Sequence, residues 1–126
     1  MKPYTNIYGV CYSGEKRMAS IPILNKATAE GGLPPIASVP CKMCGQMEGV
    51  KQWHCEDYDN PVTDATCLCW CCHMKWHSRL RNPKTAFKYI YEVTVLGKRS
   101  EPIYLHNSKR SDKQAPFQPT DSGVEG

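Results

Sequence analysis

The stretch CLCWCCHMKWH, residues 67–77, places four cysteines and two histidines in eleven positions. Thiols and imidazoles this dense admit three architectures: a disulfide knot, a structural metal site, or a catalytic site built around a metal. A chain of 126 residues buries only part of its surface, so a covalent or metal staple supplies stability that a small core lacks. The even count of eight cysteines fits a disulfide framework by number alone. The N-terminus, MKPYTNIYGVCYSGEKRMAS, lacks the continuous apolar core of a secretory signal. No apolar run reaches the roughly 20 residues that a bilayer span needs. The expectation is an intracellular protein, in the host-cell cytoplasm if the chain is viral. Disulfides persist mainly in oxidising compartments, so metal is the favoured reading.

The cysteines also organise the chain. Residues 41–80 hold seven of the eight cysteines and three of the four histidines. Residues 1–40 are weakly patterned and punctuated by glycine and proline, which predicts an irregular N-terminal extension wrapping over the core. Within residues 41–100 the expected order begins with a tight turn at CKMCG and a strand or hairpin arm in VKQWHCEDY. A loop at DNPVTD follows, then a helix from about Cys69 to Leu80. Phe87, Tyr89, Tyr91, Val93 and Val95 alternate, which predicts an added C-terminal strand over 86–96. Residues 101–126 are polar and proline-bearing and are expected to be a disordered tail. The fold class expected is a small α+β protein built on a zinc core.

Spacing selects the ligands. Cys41-x2-Cys44 and Cys69-x2-Cys72 each have the two-residue gap that lets two thiolates reach one tetrahedral ion at about 2.3 Å per bond. The second pair falls at a helix start, where the helix dipole favours thiolates. A four-thiolate structural zinc is the expectation. His73 and His77 lie four residues apart on one face of the same helix, a spacing suited to a second divalent ion. Cys11 and Cys67 are read as structural, and Cys71 as a competing ligand with poorer spacing.

CKMCG, WHCEDYDNP and LCWCCHMKWH together resemble the zinc-stapled HNH-type segment of many small bacteriophage proteins. The resemblance covers residues 41–77 and matches at Cys41, Cys44, His54, Asp57, Tyr58, Pro61, Leu68, Cys69, Cys72, His73 and His77. It implies a treble-clef, ββα-metal core in which a hairpin and a helix grip a catalytic ion beside the structural zinc. It further implies that His54, His73 and His77 hold that ion, with the next position after His54 acting as general base. Here that position is Cys55, and the asparagine usual between the two histidine elements is not evident, although Asn60 lies in the loop. A thiol beside a divalent cation tends to bind it, and it replaces a proton-shuttling imidazole poorly.

Charge is unevenly placed. Residues 45–66 carry Glu48, Glu56, Asp57, Asp59 and Asp64 against Lys51, a net of −4, while residues 73–99 carry seven cations against Glu92, a net of +6. Arg79, Arg81, Lys84 and Lys88 are candidates to meet phosphates. Trp70, Trp76, Tyr89 and Tyr91 are available either for base stacking or for core packing. Three functions follow: an HNH-like protein that binds nucleic acid with its nuclease chemistry degraded, an active metal-dependent endonuclease, and a viral protein that docks on a host protein with zinc as a staple.

Overall fold

The computed structural model describes residues 1–104; most of the expected tail, residues 105–126, lies outside the described residues. The architecture is small, mixed α+β, with two two-stranded antiparallel sheets. β1 (Tyr4–Thr5) pairs with β2 (Cys11–Tyr12), and α1 spans Gly14–Ala29. A 3-10 turn, Ile36–Ser38, follows. Then come β3 (Lys51–His54), α2 (Pro61–Asp64), β4 (Thr66–Cys69), α3 (Trp70–Ser78) and α4 (Pro83–Thr94).

Residues 1–40 are not irregular throughout, because α1 occupies 16 of them. Ser13 caps it, its Oγ accepting from Lys16 N at 3.0 Å, and Glu15 sits in the first turn where the dipole favours an acid. The helix ends at Gly31, whose φ of 86° is a left-handed conformation that glycine adopts without cost. Its buried face is Arg17, Ser20 and Leu24. That spacing is helical, but two of the three are polar, so no apolar stripe announces the helix in the sequence.

The expected strand over 86–96 is a helix, α4. Pro83 takes its first turn, where the missing N–H costs nothing. Ala86 and Val93 are buried seven residues apart, with Tyr89 packed against the same cluster, while Phe87, Tyr91 and Val95 are exposed. The alternation of aromatic and β-branched residues is real, but burial follows the 3.6-residue period.

β3 and β4 form an antiparallel pair with Lys51 opposite Cys69 and His54 opposite Thr66. Two apolar clusters flank this pair. One gathers Cys41, Leu68, Cys69, Cys72 and Val93. The other gathers Tyr4, Leu24, Cys55 and Tyr58, so the N-terminal segment and α1 pack on the loop after β3. The chain closes its first cluster from the C-terminal side: Val50 N donates to Ile103 O at 2.8 Å, and Gln46 Nε2 donates to Ser100 O at 2.8 Å.

Candidate metal centres

The turn Cys41–Gly45 and the β4–α3 junction bring Cys41, Cys44, Cys69 and Cys72 together, their sulfurs all within 4.8 Å of one another. Gly45 makes the turn possible with φ of 85°, and its N–H donates to Cys41 O at 2.8 Å. Cys44 Sγ and Cys69 Sγ are 3.8 Å apart. A tetrahedral ion with bonds of about 2.3 Å holds its sulfurs roughly 3.8 Å apart, so the spacing already fits zinc. All eight cysteines are free thiols; the disulfide architecture is not the one adopted.

Crowding splits the four thiols. Hydrogen bonds with Cys69 and Cys72 hold Cys41 far below the usual thiol range. The same bonds, Cys41 foremost, push Cys72 far up and Cys69 up to about 11. One thiolate forms easily and the next does not, unless a cation takes the place of the shared protons. Two hydroxyls face the sulfurs as well. Ser100 Oγ lies 2.9 Å from Cys69 Sγ and 3.3 Å from Cys44 Sγ, and the Tyr89 hydroxyl lies 3.2 Å from Cys72 Sγ. Tyr89 thus supports the thiolate site and is not a free stacking ring. Cys67 is buried beside this site, its thiol pushed up to about 12 by burial, and Cys71 Sγ is 3.8 Å from Glu101 O. Neither joins the four.

A second convergence lies across β3 and α3. The ring nitrogens of His54, His73 and His77 offer three ligand atoms within 4.8 Å of one another. His54 Nδ1 is 3.3 Å from His73 Nε2, and His77 Nε2 is 3.0 Å from the same atom. Three nitrogens around an ion at about 2.0–2.1 Å would stand roughly 3.4 Å apart. The opposite nitrogens are engaged: His54 Nε2 with Glu56 Oε2, and His73 Nδ1 with Gln52 Oε1 at 2.5 Å. A carboxylate or amide behind the imidazole is how metal-binding histidines are commonly fixed in tautomer and orientation. Burial, then the neighbouring His54, lowers His73 well below the ordinary imidazole value, and burial likewise takes His77 down to about 3. Both rings are therefore neutral at pH 7, the form that binds a cation.

Strand alternation explains the set. Successive side chains point to opposite faces, so Gln52 and His54 both reach His73. Continuing the period past the strand's end, Glu56 returns to this side and Cys55 does not. Cys55 is 1% exposed, packs in the second apolar cluster, and its thiol donates to Pro61 O at 3.5 Å. The position that the resemblance assigns to a general base faces away from the three histidines.

Glu56, unforeseen from the sequence, is the hub of the region. Its carboxylate accepts from Tyr4 Oη at 2.6 Å, Trp76 Nε1 at 2.8 Å and Ile7 N at 2.9 Å, besides His54. Burial alone would raise this carboxyl, but the hydrogen bonds from His54 and Tyr4 outweigh it and hold it down to about 2. The signal was available: the period of two that links Gln52 to His54 runs on to Glu56. Tyr4 lies beside the histidines, its ring centroid 4.8 Å from that of His77 and 5.5 Å from that of His54.

Arg79 corrects the expected basic arm. It is 6% exposed, stacks 4.0 Å over the Trp76 ring, and donates to Tyr4 Oη at 2.9 Å and Trp76 O at 2.7 Å. A guanidinium so held is a core strut, turned to Trp76 and Tyr4 and not to solvent. Arg81, Lys84 and Lys88 are exposed; Lys88 Nζ lies 3.8 Å from Glu92. Among the described residues no helix is long and apolar enough to cross a membrane.

Comparison with known proteins gave no match: no family model, curated protein or solved structure is detectably similar to the chain.

Proposed function

We propose that this chain is a zinc-stapled, HNH-like protein of treble-clef type, of the kind found in bacteriophages, that binds nucleic acid and cuts it weakly or not at all. Zinc at Cys41, Cys44, Cys69 and Cys72 is the staple, and a divalent ion at His54, His73 and His77 is the second site. The observation that carries the reading is the convergence of three imidazoles, two of them braced from behind by Gln52 and Glu56. Three imidazole nitrogens with a position left over are the ligand set of an ion that meets something else, whereas four thiolates close a structural site. When bound, such an ion supplies a Lewis-acid centre for a phosphate oxygen.

The chain's own groups then bind and orient but do not move a proton. Cys55 is turned into an apolar cluster. Glu56 is committed to four donors. Tyr4 is pushed above the ordinary phenol range by burial and by Glu56. None is placed as a general base, whose loss typically costs about 10² to 10⁴ in rate. Arg81 and Lys84 provide exposed positive charge for phosphates, with Arg81 lining a pocket together with His77. An active metal-dependent endonuclease is the second reading, favoured by the braces behind the imidazoles.

Metal content by mass spectrometry, with nucleic-acid binding and cleavage on the same samples, tests both. Two ions per chain are expected, one lost in His54→Ala, with salt-sensitive binding and slow cleavage. Brisk cleavage abolished by His54→Ala would establish the endonuclease. One ion per chain, unaffected by His54→Ala and without nucleic-acid binding, would remove both readings and leave the host-protein partner.

A further inference from the structure

A surface pocket of about 180 Å³ opens beside the histidine site and is lined in part by Lys2, Tyr4, Thr5, Arg17, His77 and Arg81. Three of these six are cationic, and among the described residues no acidic side chain lines the pocket. Of the three histidines only His77 reaches its wall. Arg17 is 2% exposed and is fixed by Lys2 O at 2.6 Å and the Tyr58 hydroxyl at 3.2 Å. It forms part of the pocket wall. Lys2 and Arg81 are exposed and free to close on a ligand. Glu56, beside His54, is occupied by its own donors. The pocket therefore favours an anion.

Its size and its roof narrow the choice. The Tyr4 ring lies against His54 and His77, and the segment after it is tied down by Asn6 Nδ2 to Glu56 O at 2.7 Å and Ile7 N to Glu56 Oε1 at 2.9 Å. The N-terminal segment thus covers part of the histidine site, and the lined opening lies at the His77 end. Ligand pockets for drug-sized molecules run to about 300–1,000 Å³. This one is smaller, with room for a phosphate and part of a sugar but not for the flank of a duplex. Arg81 belongs both to the pocket wall and to the exposed run that continues with Lys84 on α4. One cation can hold a phosphate inside while the next meets the backbone that follows.

From the cations that line it, the covering segment and the position of Arg81, we infer that the pocket receives the terminal phosphate of a single nucleic-acid strand. The inference rests on the reading that the chain binds nucleic acid, and it makes the strand end, not the interior of a duplex, the element recognised.

The test titrates the full-length, metal-loaded protein with one short single strand carrying a 5′-phosphate, a 3′-phosphate or hydroxyls at both ends. A blunt duplex without terminal phosphates, a mononucleotide and inorganic phosphate complete the set. One phosphorylated end should bind about tenfold or more tighter than the hydroxyl strand, the range expected for charge-assisted hydrogen bonds. Lys2→Glu and Arg81→Glu lie on exposed positions and should keep the fold and the metal content while erasing that preference. Equal affinity for phosphorylated and hydroxyl ends, or a preference that survives both variants, overturns the inference and leaves nucleic-acid binding standing. Mononucleotide and phosphate binding that both variants abolish, with no oligonucleotide bound, keeps the anion pocket, overturns the strand end as its ligand, and counts against the nucleic-acid reading.

Discussion

Glu56 shows how one side chain can govern a site without belonging to its ligand set. It fixes the His54 ring from behind, and Gln52 does the same for His73. Removing such a brace typically lowers metal affinity about 10- to 100-fold. Glu56→Gln and Gln52→Leu should each weaken the second ion by that factor in a competitive chelator titration while leaving the four-cysteine zinc in place. Equal loss at both sites would show a general collapse of the fold instead. The same residues set a pH dependence. His73 and His77 have folded values below the ordinary 6.5, by burial first, so the unfolded chain binds their protons more readily. Their contribution is complete above about pH 6.5. It is lost as pH falls, at about 1.4 kcal/mol per pH unit for each ring until its folded value is reached. Glu56, held down to about 2 from an ordinary 4.5, adds a loss of the same sign below about pH 4.5. Melting temperature should therefore fall steadily from pH 7 to pH 5, and a flat profile would contradict neutral, buried imidazoles.

At the level of elements, the β4–α3 junction matters most, since Cys69 ends β4 and Cys72 stands in the first turn of α3. A structural zinc contributes about 10–16 kcal/mol of apparent binding free energy, comparable to the whole stability of a small domain, about 5–15 kcal/mol. Cys44→Ser or Cys72→Ser should therefore abolish cooperative thermal unfolding, whereas Cys67→Ser and Cys71→Ser should keep the metal. A cooperative melt at the native temperature in both of the first pair would remove the staple. Ser13→Ala tests a smaller device, the cap of α1, and should cost about 1 kcal/mol in denaturant melts. Elements were legible in the sequence where ligand spacing fixed them: the two CxxC pairs and His73-x3-His77 anticipate the turn, α3 and the grouping of the four cysteines. They were not legible where burial runs against composition. α1 buries Arg17 and Ser20, so its face looks exposed when read as a pattern. α4 exposes Phe87 and Tyr91 but buries Ala86 and Val93, so alternating side chains imitate a strand. The side that Cys55 faces was not legible for a related reason. The resemblance fixes its place in the chain, while the strand period fixes the side it faces.

For the whole molecule, the question is how a net charge of +4 is spent. Much of the basic arm serves the fold. Arg79 stacks on Trp76 and bonds Tyr4, Lys75 lies 5.7 Å from the Tyr89 ring centroid, and Lys88 and Lys98 both approach Glu92, at 3.8 and 3.7 Å. Among the described residues of the arm, Arg81 and Lys84 are the clearest cations left to meet a polyanion, with Lys2 added at the pocket. A single strand releases about 0.7 counterions per phosphate neutralised, so three contacts predict a log–log salt slope of about −2, far shallower than the sevenfold arm of the bare sequence implies. Arg81→Glu and Lys84→Glu should each reduce that slope by about 0.7 and weaken every sequence alike. Arg79→Ala should act differently. It leaves Tyr4, Trp76 and the Glu56 charge without their cation in a buried setting, at a cost of about 3 kcal/mol or more, and so lowers the melting temperature. In samples kept folded at low temperature the salt slope of Arg79→Ala should equal that of the native chain. A slope that drops by the same step in Arg79→Ala as in Arg81→Glu would mean that the stacked guanidinium leaves Trp76 to meet phosphate. The packing of Tyr4 over the histidine site would then have to open whenever nucleic acid binds.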